Sequence, residues 1–131
     1  MPIRVEAIDH VTVNITDVTR ARHFYGGVLG LEEIPRPASF DFPGAWYRTG
    51  AGVIHLVGRS AADAESSRHF ALRVGDIQEA ARHLAAAGCE VRWDKRKIPG
   101  IDRFFTRDPD GNRIELQGPA EPCGPLEEVL L

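Results

Sequence analysis

Apolar and polar residues alternate through residues 7–15. Val11, Val13 and Ile15 fall on one side, and His10, Thr12 and Asn14 on the other. That period of two predicts a strand with one buried face. Asp17 suits a helix N-cap, and the pattern beyond it predicts a helix to about Val28. A strand near Leu31–Arg36, the loop PASFDFPG and a hairpin, AWYRTGAGVIHLV, come next. From His69 the order returns. Phe70, Leu72 and Val74 alternate with His69, Ala71 and Arg73. Asp76 and Glu79 form an acidic capping box, and the helix IQEAARHLAAA ends at a Gly88 cap. A strand over Glu90–Asp94 leads through KRKIPGID to a second hairpin. Its DPDG turn predicts a type I turn with a left-handed glycine.

The return is a repeat. HVTVNITDVTRAR lies over HFALRVGDIQEAA, with His10 over His69, Val13 over Leu72, Ile15 over Val74 and Asp17 over Asp76. GVIHLVG lies over NRIELQG, with Ile54 over Ile114, Leu56 over Leu116, Gly58 over Gly118 and His55 over Glu115. A period of about 60 residues makes each copy one supersecondary unit. The expected fold class is α+β: two βαβββ modules, residues 1–58 and 67–118, forming curled mixed sheets around a metal cavity. Residues 59–66 read as a linker. Residues 119–131 read as a Pro/Gly-rich tail whose short apolar end could dock on a partner chain. A module of about 60 residues buries little core alone, so two belong together.

GVIHLVG places an imidazole inside an apolar strand. His55 opposes Ile54 and Leu56, and Glu115 opposes Ile114 and Leu116. His10 and His69 oppose the apolar residues of their own strands. All four are expected on the face away from the helices. A carboxylate buried there alone is costly, and a divalent cation shared with three imidazoles removes the cost. His10, His55, His69 and Glu115 are therefore the candidate ligands of one divalent metal per site. Such donors suit Zn, Ni, Co, Mn or Fe(II) and do not choose among them.

A two-residue Gly-Ala loop sets Trp46 across from His55, and a three-residue Pro-Asp-Gly loop sets Phe105 across from Glu115. Each ring either stacks on a substrate or packs as core, and one residue of slip would reverse the face. Arg73 and Arg113 share parity with His69 and Glu115 and could meet an anionic substrate. Thr12, two residues from His10, could hydrogen-bond a substrate oxygen. The helical His23 and His83 read as surface or packing residues, DKRKIPGIDR as a solvated loop in preference to an anion-binding lid, and Cys89 as structural.

The totals narrow the class. Of the 131 residues, 43% are apolar and 27% charged, as in a soluble globular protein. A net charge of -3 argues against nucleic-acid or membrane-surface partners. No apolar run approaches the roughly 20 residues of a membrane span. Cys89 and Cys123 have neither metal-site spacing nor a disulfide framework. With no signal-peptide core at the N-terminus, a cytoplasmic protein with reduced thiols is expected, acting on or binding a small molecule.

The stretches IDHVTVNITDVTRARHFYGGVLGLE, GVIHLV, RHFALRVGDIQEAARHLAAAGCEV and FFTRDPDGNRIEL cover nearly the whole chain apart from linker and tail. In these the sequence resembles the vicinal oxygen chelate superfamily of glyoxalases, fosfomycin-resistance transferases, extradiol dioxygenases and bleomycin-resistance proteins. The resemblance implies paired βαβββ modules around a divalent metal, with the ligand roles on His10, His55, His69 and Glu115. It implies a small substrate chelated through neighbouring oxygens and, for many members, a homodimer. The leading expectation is a glyoxalase-type lyase, isomerase or transferase, with Glu115 loosening from the metal to act as general base. An Fe(II) extradiol-type dioxygenase and a non-catalytic sequestering protein are the alternatives. Glyoxalases usually carry Glu or Gln where His55 stands, and no glutathione-binding set is recognisable, which weakens the case for lactoylglutathione chemistry.

Overall fold

In the computed structural model, which describes residues 2–120, the chain divides between Glu65 and Ser66 into two units. The first contains strand β1 (His10–Ile15), helix α1 (Val18–Arg22) running into a π-helical turn (His23–Val28), then β2 (Glu32–Ile34), β3 (Gly44–Thr49) and β4 (Gly52–Gly58). The second contains β5 (His69–Arg73), α2 (Ile77–Ala86), β6 (Arg92–Trp93), β7 (Ile101–Arg107) and β8 (Arg113–Pro119). Each is a βαβββ unit with a mixed sheet, so the fold is α+β. The strand orders are β1-β4-β3-β2 and β5-β8-β7-β6. In both, the first strand runs parallel to the last, and the remaining pairs are antiparallel.

The alternation places the core where expected. Val13, Ile15, Tyr47, Ile54 and Leu56 are buried in the first unit, together with Ala21, Phe24 and Tyr25. In the second, Phe104, Ile114 and Leu116 are buried with Ile77, Ala81 and Leu84 of α2. The caps repeat as well. Asp17 accepts the Arg20 N–H and Asp76 the Glu79 N–H, both at 3.0 Å. The Glu79 carboxylate itself takes a hydrogen bond from Arg82 at 2.8 Å. Gly88, at φ +83°, lets the Cys89 N–H reach back to Leu84 O at 2.9 Å and its own N–H to Ala85 O at 3.0 Å. That is the paired bonding of a Schellman cap.

Four elements depart from the sequence expectations. The first helix is α-helical only to Arg22. Beyond it the Leu29 N–H bonds to Phe24 O, five residues back, at 2.8 Å. Gly26 and Gly27, weak helix formers, fall in this widened turn, and Gly26 lies against the Tyr47 ring. The strand expected over Leu31–Arg36 shrinks to Glu32–Ile34, because Pro35 and Pro37 have no N–H to give to a ladder. The first strand begins at His10 rather than residue 7: its partner β4 starts at the hairpin turn, so nothing is left to pair with. The strand expected over Glu90–Asp94 is only Arg92–Trp93, since the Asp94 side chain accepts the Arg96 N–H and turns the chain away.

Both hairpin registers stand as read. Trp46 pairs with His55, and Phe105 with Glu115. In the second turn Gly111 has φ +86°, its N–H reaches Asp108 O at 2.9 Å, and the Asp108 side chain accepts the Asp110 and Asn112 N–H groups. Cys123 and the apolar end of the expected tail lie outside the described residues.

Candidate metal centre

The candidate donors gather as two pairs, one in each unit. In the first, β1 and β4 bring His10 and His55 together, their rings 3.9 Å apart and 15° from parallel. Trp46, the cross-strand neighbour of His55, covers its other face at 3.9 Å and 1°. His55 is thus the middle ring of three. Burial, then the adjacent His10, hold its pKa below the ordinary 6.5, which favours the neutral imidazole a metal requires. The His10 Nδ1–H donates to Asp9 Oδ2 at 2.8 Å. A carboxylate bond on Nδ1 leaves Nε2 as the free donor atom, an arrangement common behind metal-binding histidines.

In the second unit, β5 and β8 bring His69 and Glu115 together. The His69 Nδ1–H donates to Ser67 O at 2.9 Å, so Nε2 is again the remaining donor. Nε2 faces Glu115 Oε1 at 3.0 Å. A lone pair and a carboxylate oxygen at that distance need a cation between them, a proton or a metal. Neighbouring ligands at about 2.1 Å from one ion lie about 3 Å apart, so this pair fits a divalent metal. Glu115 is only 3% exposed. Its Oε2 accepts from Gln117 Nε2 at 3.2 Å and faces Arg103 Nη1 at 3.4 Å.

Arg103, Asp94 and Gln117 are not among the site residues expected from the sequence. Arg103 Nη2 meets Asp94 Oδ2 at 2.7 Å, with side chains only 21% and 13% exposed. The Arg96 N–H and the Arg103 guanidinium hold the Asp94 carboxyl below the usual range. DKRKIPGIDR is therefore not simply a solvated loop: its first and last residues close an ion pair beside Glu115. The signal was parity. Arg103 stands two residues before Phe105, on the same face of β7, in register with Gln117.

The candidate substrate residues divide. Trp46 stacks on His55, as described. Phe105 meets the His69 ring edge-on at 5.1 Å and carries the Arg113 guanidinium 3.8 Å above its centroid. Arg113 also donates to Ser67 O at 3.2 Å, so it braces the carbonyl that orients His69. Thr12 pairs with His55 and Arg73 with Gln117, both exposed. Among the described residues no group of three or more His, Cys, Asp or Glu forms. No helix among them is long and apolar enough to cross a membrane.

Known proteins are similar to this chain in sequence and in fold. The profile of the Glyoxalase/Bleomycin resistance protein/Dioxygenase superfamily matches residues 7–116. "Glyoxylase I 4" of Arabidopsis thaliana is 29% identical over 126 residues, covering 88% of this chain and 72% of that protein. The uncharacterized protein YaeR of Escherichia coli K12 is 31% identical, covering 86% and 95%. The solved structure of a putative glyoxalase family protein from Bacillus anthracis superposes with a TM-score of 0.84 at 34% identity, covering 91% and 99%. The fosfomycin resistance protein FosX of Listeria monocytogenes, in a complex with Mn(II) and a dihydroxypropylphosphonic acid, shares the fold at TM-score 0.75 and 16% identity, covering 89% and 95%. With most of its length matched by the profile, the chain belongs to the Glyoxalase/Bleomycin resistance protein/Dioxygenase superfamily.

Proposed function

We propose that the protein is a divalent-metal-dependent enzyme of glyoxalase type, a lyase, isomerase or transferase, acting on a small substrate that chelates through neighbouring oxygens. The observation that carries this reading is the approach of His69 Nε2 to Glu115 Oε1 at 3.0 Å, with the other imidazole nitrogen already committed to Ser67. The proposed ligands are His10 and His55 from the first unit and His69 and Glu115 from the second. When bound, the cation polarises the substrate oxygens and stabilises the anion left by proton removal.

The chain's own residues have defined parts in this proposal. Asp9 and Ser67 fix the tautomers of His10 and His69. Trp46 stacks on one face of the His55 ring and His10 on the other, so one imidazole turns out of this stack for both to reach a single ion. Gln117 and Arg103 hold Glu115, whose Oε1 is the atom that takes a substrate proton. Homodimer formation and a cytoplasmic location belong to the same proposal.

Elemental analysis of protein purified without a His tag tests it. About one divalent ion per chain is expected, with clear loss in His55→Ala and Glu115→Gln. Mn(II), which FosX holds on the same fold, is the first ion for reconstitution. No binding after reconstitution would sink the reading. A sequestering protein is the second reading, favoured by the exposed rings near Trp46. It requires ligand affinity to survive Glu115→Gln.

A further inference from the structure

The loop between β2 and β3 carries two phenyl rings that the fold does not bury. Phe40 is 37% exposed and Phe42 40%. They lie next to each other, with centroids 5.6 Å apart. Phe40 also meets Trp46 edge-on at 5.2 Å. Trp46 lies flat on His55. An aromatic wall therefore runs outward from the His10–His55 pair, entirely within the first unit.

The loop is pinned in this shape. The Phe40 N–H closes a turn onto Pro37 O at 2.9 Å. Arg36 Nη2 donates to Phe42 O at 2.6 Å, and the guanidinium lies 5.2 Å from the Phe42 ring centroid. The Gly58 N–H holds Pro43 O at 2.9 Å, tying the end of the loop to the end of β4. Gly44 permits this closeness. A Cβ there would collide with the Leu56 carbonyl oxygen and come within 3.0 Å of Arg36 Nη1. A loop held this way pays little ordering entropy when a ligand arrives.

The rings are too few to suggest a protein partner. Two phenylalanines exposed to this degree offer about 150 Å², against the roughly 800 Å² per side of a stable protein interface. That area suits one flat substituent of a small molecule. The two rings are steeply tilted to Trp46 or to each other, at 80° and 44°, an arrangement that offers both an edge and a face to an incoming ring.

We propose that Phe40, Phe42 and Trp46 form an apolar subsite beside the His10–His55 pair, which selects substrates carrying an aryl group next to their chelating oxygens. This rests on the metal-dependent reading above. Mandelate and lactate test it, because they share a 2-hydroxycarboxylate chelate and differ in phenyl against methyl. Both are titrated calorimetrically into the Mn(II)-loaded protein. Mandelate is expected to bind at least about tenfold tighter than lactate. Phe40→Ala and Phe42→Ala, at exposed loop positions, should cut that preference to about threefold or less and leave lactate binding unchanged.

Equal binding of the two acids by the wild type overturns the subsite and leaves chelation standing. So does a preference that survives both substitutions. Equal weakening of both acids in the variants assigns the rings to structure alone and overturns it too. If neither acid binds, the chelate reading fails, and the subsite fails with it.

Discussion

Arg103 grips Asp94 at 2.7 Å with one guanidinium nitrogen and faces Glu115 at 3.4 Å with another. One half-buried cation thus serves two carboxylates from different parts of the second unit. Replacing it takes one partner from Glu115, the more buried of the two, and leaves it Gln117 and His69. Arg103→Met is expected to cost about 2 kcal/mol, below the scale for a buried charge left wholly uncompensated. Arg103→Lys should recover only part of this, since an ammonium cannot span both carboxylates as a planar fork does. Urea unfolding of the two variants checks it. A Met variant as stable as wild type would show that Glu115 does not depend on Arg103.

Glu115→Gln keeps the shape of the side chain and removes its charge. Affinity for added Mn(II), measured by calorimetry, should fall by at least about tenfold. Thr12→Val, on the same face but not a proposed ligand, should leave it unchanged.

His55 gives the metal-free protein a pH dependence. Its pKa lies below 6.5 in the folded chain, chiefly through burial and then through His10. Below about pH 6.5 the unfolded chain takes up the proton that the folded one resists. The contribution to stability is therefore complete above that pH and is lost as pH falls toward the folded value. In EDTA, the urea midpoint should drop between pH 7.5 and 5.5, and drop less in His55→Phe. Identical pH profiles for the two proteins would rule His55 out as the source.

Two glycines should respond differently to a methyl group. Gly88→Ala meets open space but keeps φ +83°, and should cost about 1 kcal/mol. Gly44→Ala forces a Cβ against the Leu56 carbonyl and the Arg36 guanidinium, and should cost about 2 kcal/mol or more. Thermal unfolding of both variants measures the difference. A Gly44→Ala protein as stable as Gly88→Ala would mean the loop can move away from β4.

Much of this was legible before any coordinates. Alternation put His10, His55, His69 and Glu115 on the faces opposite the core, and the hairpin loop lengths set Trp46 against His55 and Phe105 against Glu115. These features follow from period and turn length, which are local properties of a chain. Asp94 and Arg103 were not found, because a charged run reads as solvated unless its partners across the sheet are known. The π-helical turn was missed because Gly26 and Gly27 weaken a helix without saying how it will relax. The stacking of His55 between two rings needed side-chain torsions, which strand parity does not supply.

The parallel pairing of first and last strands has a consequence for how each unit comes into being. β4 lies between β1 and β3, and β8 between β5 and β7. One of the two inner strands of each sheet is therefore the last one synthesised, and it must insert between segments already made. Until β4 has emerged, β1 has no partner in its sheet; until β8 has, β5 has none. Contacts that wait for such distant residues make for slow folding. His55 and Glu115 sit on those late strands, so neither donor pair can assemble before its whole unit is present.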